Sequence, residues 1–120
     1  MRLFVMLGSI NMFLAVALGA FGAHGLKSRV SAELLTVWQT AVLYHLAHAL
    51  GLLLVGLLAP QLPVKAAGWT LFTGIVLFSG SLSLLVLTGF RPLGIITPLG
   101  GVAFLVGWLL LALSALRLTG

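Results

Sequence analysis

Four stretches of this chain, residues 3–21, 38–58, 68–88 and 99–118, are nearly free of charge and each about as long as a bilayer is thick. A helix rises about 1.5 Å per residue, so roughly twenty apolar residues cross ~30 Å of hydrocarbon. Lipid offers the backbone no hydrogen bonds, so runs of that length must be helices, which bond internally. Composition agrees: of 120 residues, 62% are hydrophobic and 6% charged, and the mean hydropathy is +1.30. A soluble domain carries about a quarter charged residues. The sequence therefore predicts an all-α fold, an integral membrane four-helix bundle forming a single transmembrane domain over residues 1–120.

Glycine and proline punctuate the runs at Gly22-Ala23-His24-Gly25, at Pro60 and Pro63, and from Gly89-Phe90-Arg91-Pro92 through Pro98. These short connections make consecutive helices antiparallel neighbours, and the first one reads as a tight helix exit. Met1-Arg2 and the apolar stretch to Phe21 have the look of a secretory signal, with small residues near Ala20 to Ala23. The run is longer than a usual signal core and contains Asn11, so it is read as a true span. Before the second run, Ser31 suits a helix N-cap and Glu33 the first turn, where a carboxylate complements the helix dipole. Helix two should start near Ala32 with an interfacial lead-in whose apolar face is Leu34, Leu35, Val37 and Trp38.

The basic residues Arg2, Lys27, Arg29, Lys65, Arg91 and Arg117 fall at or near the ends of the apolar runs. That is the placement of anchors, not of a nucleic-acid surface, which needs clustered Lys and Arg. With four spans they divide three against three across the membrane, so counting them gives no orientation. Absence of cysteine excludes disulfides and thiolate ligands.

Polar residues recur near the middle of every span: Asn11 in the first, Tyr44, His45 and His48 in the second, Ser79, Ser81 and Ser83 in the third, and Trp108 in the fourth. At that depth such side chains cost a few kcal/mol and face protein or a cavity. Two readings stand. The layer is a hydrogen-bond network of neutral imidazoles, Asn11 and serines, or it holds a small hydrophobic or amphipathic ligand. Small residues mark packing faces: Gly8, Asn11, Ala15, Leu18 and Gly22 in one helix, and Gly100, Ala103, Gly107 and Ser114 in another.

Catalysis finds little support. Glu33 is the sole acid, so paired carboxylates are absent, and a dyad of Ser79 or Ser83 with His45 lacks an orienting acid. No GxSxG, P-loop or HExxH pattern occurs. His45 and His48, three residues apart, can face one direction, yet a metal needs a third ligand and His24 is ~20 Å away. No metal site is predicted, and no cofactor is specified: a metal or haem would need histidines from a second subunit. A proton or ion conduit would lack a polar step from Gly51 to Leu58.

Several motifs occur in a recognisable order: Gly19-Ala20-Phe21-Gly22-Ala23-His24-Gly25-Leu26, Trp38-Gln39-Thr40-Ala41, Tyr44-His45, and His48-Ala49-Leu50. They are followed by Leu77-Phe78-Ser79-Gly80-Ser81-Leu82, Leu87-Thr88-Gly89, Thr97-Pro98-Leu99-Gly100-Gly101 and Gly107-Trp108. On these the chain resembles, over nearly its whole length, the YgdD/YwdK-like family of small four-span membrane proteins of bacteria, with mitochondrial relatives and no characterised function. One departure is Ser83, where many members carry a tyrosine. The resemblance implies the four-span fold and a multi-pass location in the bacterial cytoplasmic membrane, and it brings no catalytic residues. It adds His24, Trp38, Thr97, Gly100 and Gly101 as loop candidates. The expected function is ligand binding at the midplane layer or service as an accessory or assembly subunit of a larger membrane complex. Expected partners are the lipid bilayer and another copy or a partner membrane protein, with no nucleic acid.

Overall fold

The computed structural model describes residues 2–116; the predicted end of the fourth span, Arg117 and Leu118, lies outside the described residues. Four helices carry the chain: α1 Arg2–Leu26, α2 Ala32–Leu58, α3 Lys65–Thr88 and α4 Thr97–Ala115, the last preceded by a 3₁₀ turn at Arg91–Ile95. All four are long and apolar enough to cross a membrane. This is a helical multi-pass membrane protein.

The helix ends follow local chemistry. Ser31 caps α2 by accepting from the Leu34 N–H at 3.2 Å, leaving Glu33 in the first turn. Gly89, at φ 72, closes α3 in the left-handed conformation that glycine adopts without strain. Pro98 sits in the first turn of α4, where its missing N–H has no intrahelical partner to lose. The expected tight exit at Gly22-Ala23-His24-Gly25 is instead a further, widened π-helical turn of α1, Gly22–Leu26. It begins where Trp38 Nε1 donates to the Leu18 carbonyl at 2.9 Å. A Cβ on Gly22 would collide with the Trp38 indole, so the glycine admits that ring and does not end the helix.

Consecutive helices pack side by side in a flat array, with principal dimensions of 54 × 26 × 17 Å. On α1 the inward face carries Phe4, Gly8, Asn11, Ala15 and Gly22. On α4 it carries Gly100, Phe104, Gly107 and Ser114. Lipid gives no hydrophobic drive to bring helices together, so small residues that let backbones approach take over that role. Ascending α4 and descending α3 fixes their register, with Thr97 against Ser81, Gly100 against Phe78, Phe104 against Gly74 and Gly107 against Leu71.

Two apolar clusters fill the interior. One, at the Lys65 end, gathers Phe4, Leu52, Val55, Leu62, Val64, Leu71, Ile75 and Phe104. The other, at the Lys27 end, gathers Leu26, Trp38, Val42 and Val86, covered by Leu34 and Val37. The apolar face of the lead-in to α2 is thus turned onto protein, with Trp38 only 1% exposed. Between the clusters lie the buried polar residues Asn11, His45, His48 and Ser79.

Candidate functional site

His45 and His48 do not face one direction, contrary to the sequence expectation. Three residues turn a helix ~300°, so the two rings diverge by ~60°. On the flat array, that offset sends one ring toward α1 and the other toward α4.

His45 Nε2 lies 2.9 Å from Asn11 Oδ1, while Asn11 Nδ2 donates to the Leu7 carbonyl at 2.8 Å. The second bond fixes the amide orientation, because a flipped amide would set its oxygen against a carbonyl. Oδ1 can only accept, so Nε2 is the protonated nitrogen of His45 and Nδ1 carries a lone pair. His45 is 7% exposed, and its Nδ1 has no hydrogen-bond partner among the described residues. No enclosed side-chain nitrogen or oxygen there lacks a partner, so Nδ1 reaches the open cleft that the ring lines.

That cleft, of about 350 Å³, lies between α1 and α3 over the face of α2. Asn11 and Leu18 form one wall, His45 the floor, and Ile75, Val76, Ser79, Gly80, Ser83 and Leu84 the other wall. Val76 and Leu84 on the rim are exposed, so the mouth opens toward lipid. Ser79 Oγ donates to the Ala41 carbonyl at 2.9 Å and holds α3 against α2. Ser83, half-buried on the α3 wall, has no hydrogen-bond partner among the described residues. Neighbouring Ile75–Gly80 is π-helical, an irregularity that recurs at functional sites.

His48 has the opposite arrangement. Its Nδ1 donates to the Tyr44 carbonyl at 2.7 Å, and its Nε2 accepts from Trp108 Nε1 at 2.9 Å. The ring stacks on Phe104 with centroids 3.5 Å apart. Both nitrogens are used, and both roles require the neutral ring with its proton on Nδ1. Tyr44, Phe78, Phe104 and Trp108 surround it as an aromatic brace between α2, α3 and α4. The two histidines hold opposite tautomers and cannot chelate one ion.

The remaining candidates separate from the cleft. Ser81 gives its proton to the Phe78 carbonyl at 3.0 Å, so Thr97 donates in the 2.6 Å contact between their hydroxyls and ties α4 to α3. All five loop candidates lie on helices: Trp38, Gly100 and Gly101 within the spans read from the sequence, and His24 in the last turn of α1 and Thr97 at the start of α4, each just beyond those spans. Backbone that enters lipid must keep its hydrogen bonds, so glycine and proline do not break these helices as they would in water. Gly100 lies tight against Phe78, whereas a Cβ on Gly101 would meet nothing within 4 Å. His24 is exposed, a helix end away from the cleft.

Sequence reasoning missed Phe104, the stacking partner of His48. Its signal was there: it falls four residues after Gly100 and three before Gly107, on the stripe of small residues. It also missed Ile75, Val76, Gly80 and Leu84, apolar or glycine wall residues with no distinguishing chemistry. A larger cleft of about 440 Å³, bordered by Phe4, Pro63, Lys65 and Trp69, lies at the bundle end, apart from the mid-span polar residues.

Comparison with known proteins places this bundle. The family model described as a protein of unknown function, DUF423, matches residues 18–101. The chain belongs to the DUF423 family. The matched segment of DUF423 runs from Leu18, which accepts from Trp38, through the cleft to Gly101. A UPF0382 membrane protein of Bacillus subtilis, YwdK, is 52% identical over 98% of both chains. UPF0382 membrane proteins of Staphylococcus epidermidis and Staphylococcus aureus are 48% and 46% identical over the full length of each chain. No solved structure matches this DUF423 chain.

Proposed function

We propose that the protein is a membrane-embedded binding protein that takes a small hydrophobic or amphipathic ligand from the lipid phase into the cleft between α1 and α3. One observation carries the reading: an imidazole 7% exposed, at the middle of α2, whose Nδ1 has no partner among the described residues and opens into that cleft. An acceptor that opens into an apolar cleft facing lipid, where no water bonds it, forfeits on the order of 1–3 kcal/mol. A ligand that supplies the missing bond recovers part of that cost. The rest of the cleft is apolar wall, with the Ser83 hydroxyl as a second polar handle, the usual make-up of a small-molecule site.

The test is native mass spectrometry of protein extracted in mild detergent, wild type beside Ser83→Trp, a substitution that fills the cleft from its half-buried rim. The reading expects a small molecule retained by the wild type and absent from the variant at unchanged helicity. Recovery of the same lipids from both proteins would overturn it. His48 is unsuitable for such a test, because losing it disturbs the aromatic brace.

A second reading, assembly with another copy or a partner subunit, draws on Tyr44. Its side chain is 41% exposed near the middle of α2, and its phenol has no hydrogen-bond partner among the described residues. A protein neighbour would supply that bond where lipid does not. Under this reading, Tyr44→Phe lowers the oligomer fraction counted by single-molecule photobleaching in bilayers, and an unchanged count rejects it.

A further inference from the structure

Asn11 determines which nitrogen of His45 holds the proton, and this fixes what a ligand must bring. Asn11 is itself oriented by its bond to the Leu7 carbonyl, so the acceptor Oδ1 is the atom presented to His45 Nε2. The proton stays on that side and the cleft sees a lone pair. A charged ring, with both nitrogens donating, would place a full charge at mid-membrane with no carboxylate nearby, since Glu33 is the only acid and sits three turns away at the start of α2.

We infer that the cleft selects apolar molecules carrying a hydroxyl or other hydrogen-bond donor over counterparts that only accept. A long-chain alcohol, a phenol or a reduced dihydroxy-aromatic fits; the corresponding ether, ketone, ester or quinone does not. This inference rests on the cleft being a binding site, as proposed above. An acceptor-only ligand would place its oxygen against the Nδ1 lone pair and leave that nitrogen unpaired, even where Ser83 donates to the ligand. Sites built around one hydrogen bond reject analogues lacking the matching group far more strongly than they reject small changes in size. Ser83 does not discriminate: its hydroxyl can donate to a ligand oxygen or accept from one, so the preference rests on His45.

Depth narrows the class further. α2 has 27 residues and His45 is near its middle, so Nδ1 lies ~20 Å along the helix from either end. The hydroxyl that reaches it must belong to a molecule soluble in the hydrocarbon layer. A phospholipid, with its polar group held at the surface, cannot place a donor there.

The deciding experiment uses the full chain in nanodiscs with ¹⁵N-labelled histidine, titrated with 4-dodecylphenol and, separately, with its methyl ether. The ether is larger by one methylene and otherwise alike, so the Nδ1 shift, and not affinity alone, reads the ability to donate. The phenol is expected to saturate and to move the His45 Nδ1 resonance while Nε2, held by Asn11, stays in place. The ether should need a mole fraction roughly tenfold higher, the worth of one net hydrogen bond, and leave Nδ1 unmoved. Asn11→Leu frees the ring to take the other tautomer and should erase most of the preference; the wild-type comparison stands without that variant. Equal saturable binding of both probes would overturn the donor preference and leave the cleft a binding site. No saturable response to either probe would overturn the cleft as a site and the preference with it.

Discussion

At the scale of the residue, one helical turn separates two histidines with opposite work. His48 is bonded at both nitrogens and stacked on Phe104, so truncating it orphans the Trp108 N–H and leaves a void. His48→Ala should cost about 2–4 kcal/mol, the sum of a core truncation and a lost interhelical bond, read by reversible unfolding in bicelles. A loss below about 0.5 kcal/mol would show that the brace holds nothing together. Trp38→Phe removes the pyrrole half of a fully buried indole together with its bond to the Leu18 carbonyl, so about 2–4 kcal/mol is expected in the same assay. Ser83→Ala removes a hydroxyl with no partner among the described residues and should stay within about 0.5 kcal/mol of the wild type. The sequence singled out His48 and Ser83 by their polarity at mid-span and Trp38 through the family resemblance. It did not divide His45 from His48, because that division depends on how α2 is rotated between α1 and α4.

At the scale of the element, adjacent glycines at the start of α4 make the sharpest contrast. A Cβ at Gly100 would overlap the Phe78 backbone, which no rotamer change can move aside. Gly100→Ala should therefore destabilise by about 1–3 kcal/mol, the usual cost of overpacking. Gly101 faces open space, so Gly101→Ala should be neutral or stabilising by up to about 1 kcal/mol through helix propensity alone. Thermal unfolding of the two variants side by side checks both, and equal effects would contradict the packed register of α3 and α4. The sequence read both glycines as loop candidates at the head of the fourth span, residues 99–118, and Gly100 also as part of its small-residue stripe. In lipid the backbone must satisfy its own hydrogen bonds, so α1 runs a turn past Phe21 and α4 begins at Thr97.

At the scale of the whole molecule, four antiparallel helices put Lys27 and Arg91 at one end and Lys65 at the other. The natural chain has no cysteine, so single cysteines at these positions give a clean labelling test. Cysteines replacing Lys27 and Arg91 should react with an impermeant maleimide from the same side of the membrane, and one replacing Lys65 only from the opposite side. Labelling of Lys27 and Lys65 positions from one side would refute the four-span arrangement. The flat array also explains why the cleft exists: α1 and α3 both lean on α2 without closing over it.

Length and hydropathy by themselves determined that the chain is helical, that it crosses the membrane four times, and at what depth its polar residues lie, because lipid leaves the backbone no other way to satisfy its bonds. Small-residue spacing likewise marked the faces of α1 and α4 that turn inward. Only the tertiary structure divided the polar layer into a cleft, an aromatic brace and a seam. That division depends on the rotation of each helix about its own axis, and a hydropathy pattern almost uniform around the helix does not encode that angle. It is set instead by contacts between helices: Asn11 with His45, Trp108 with His48, and Gly100 against Phe78.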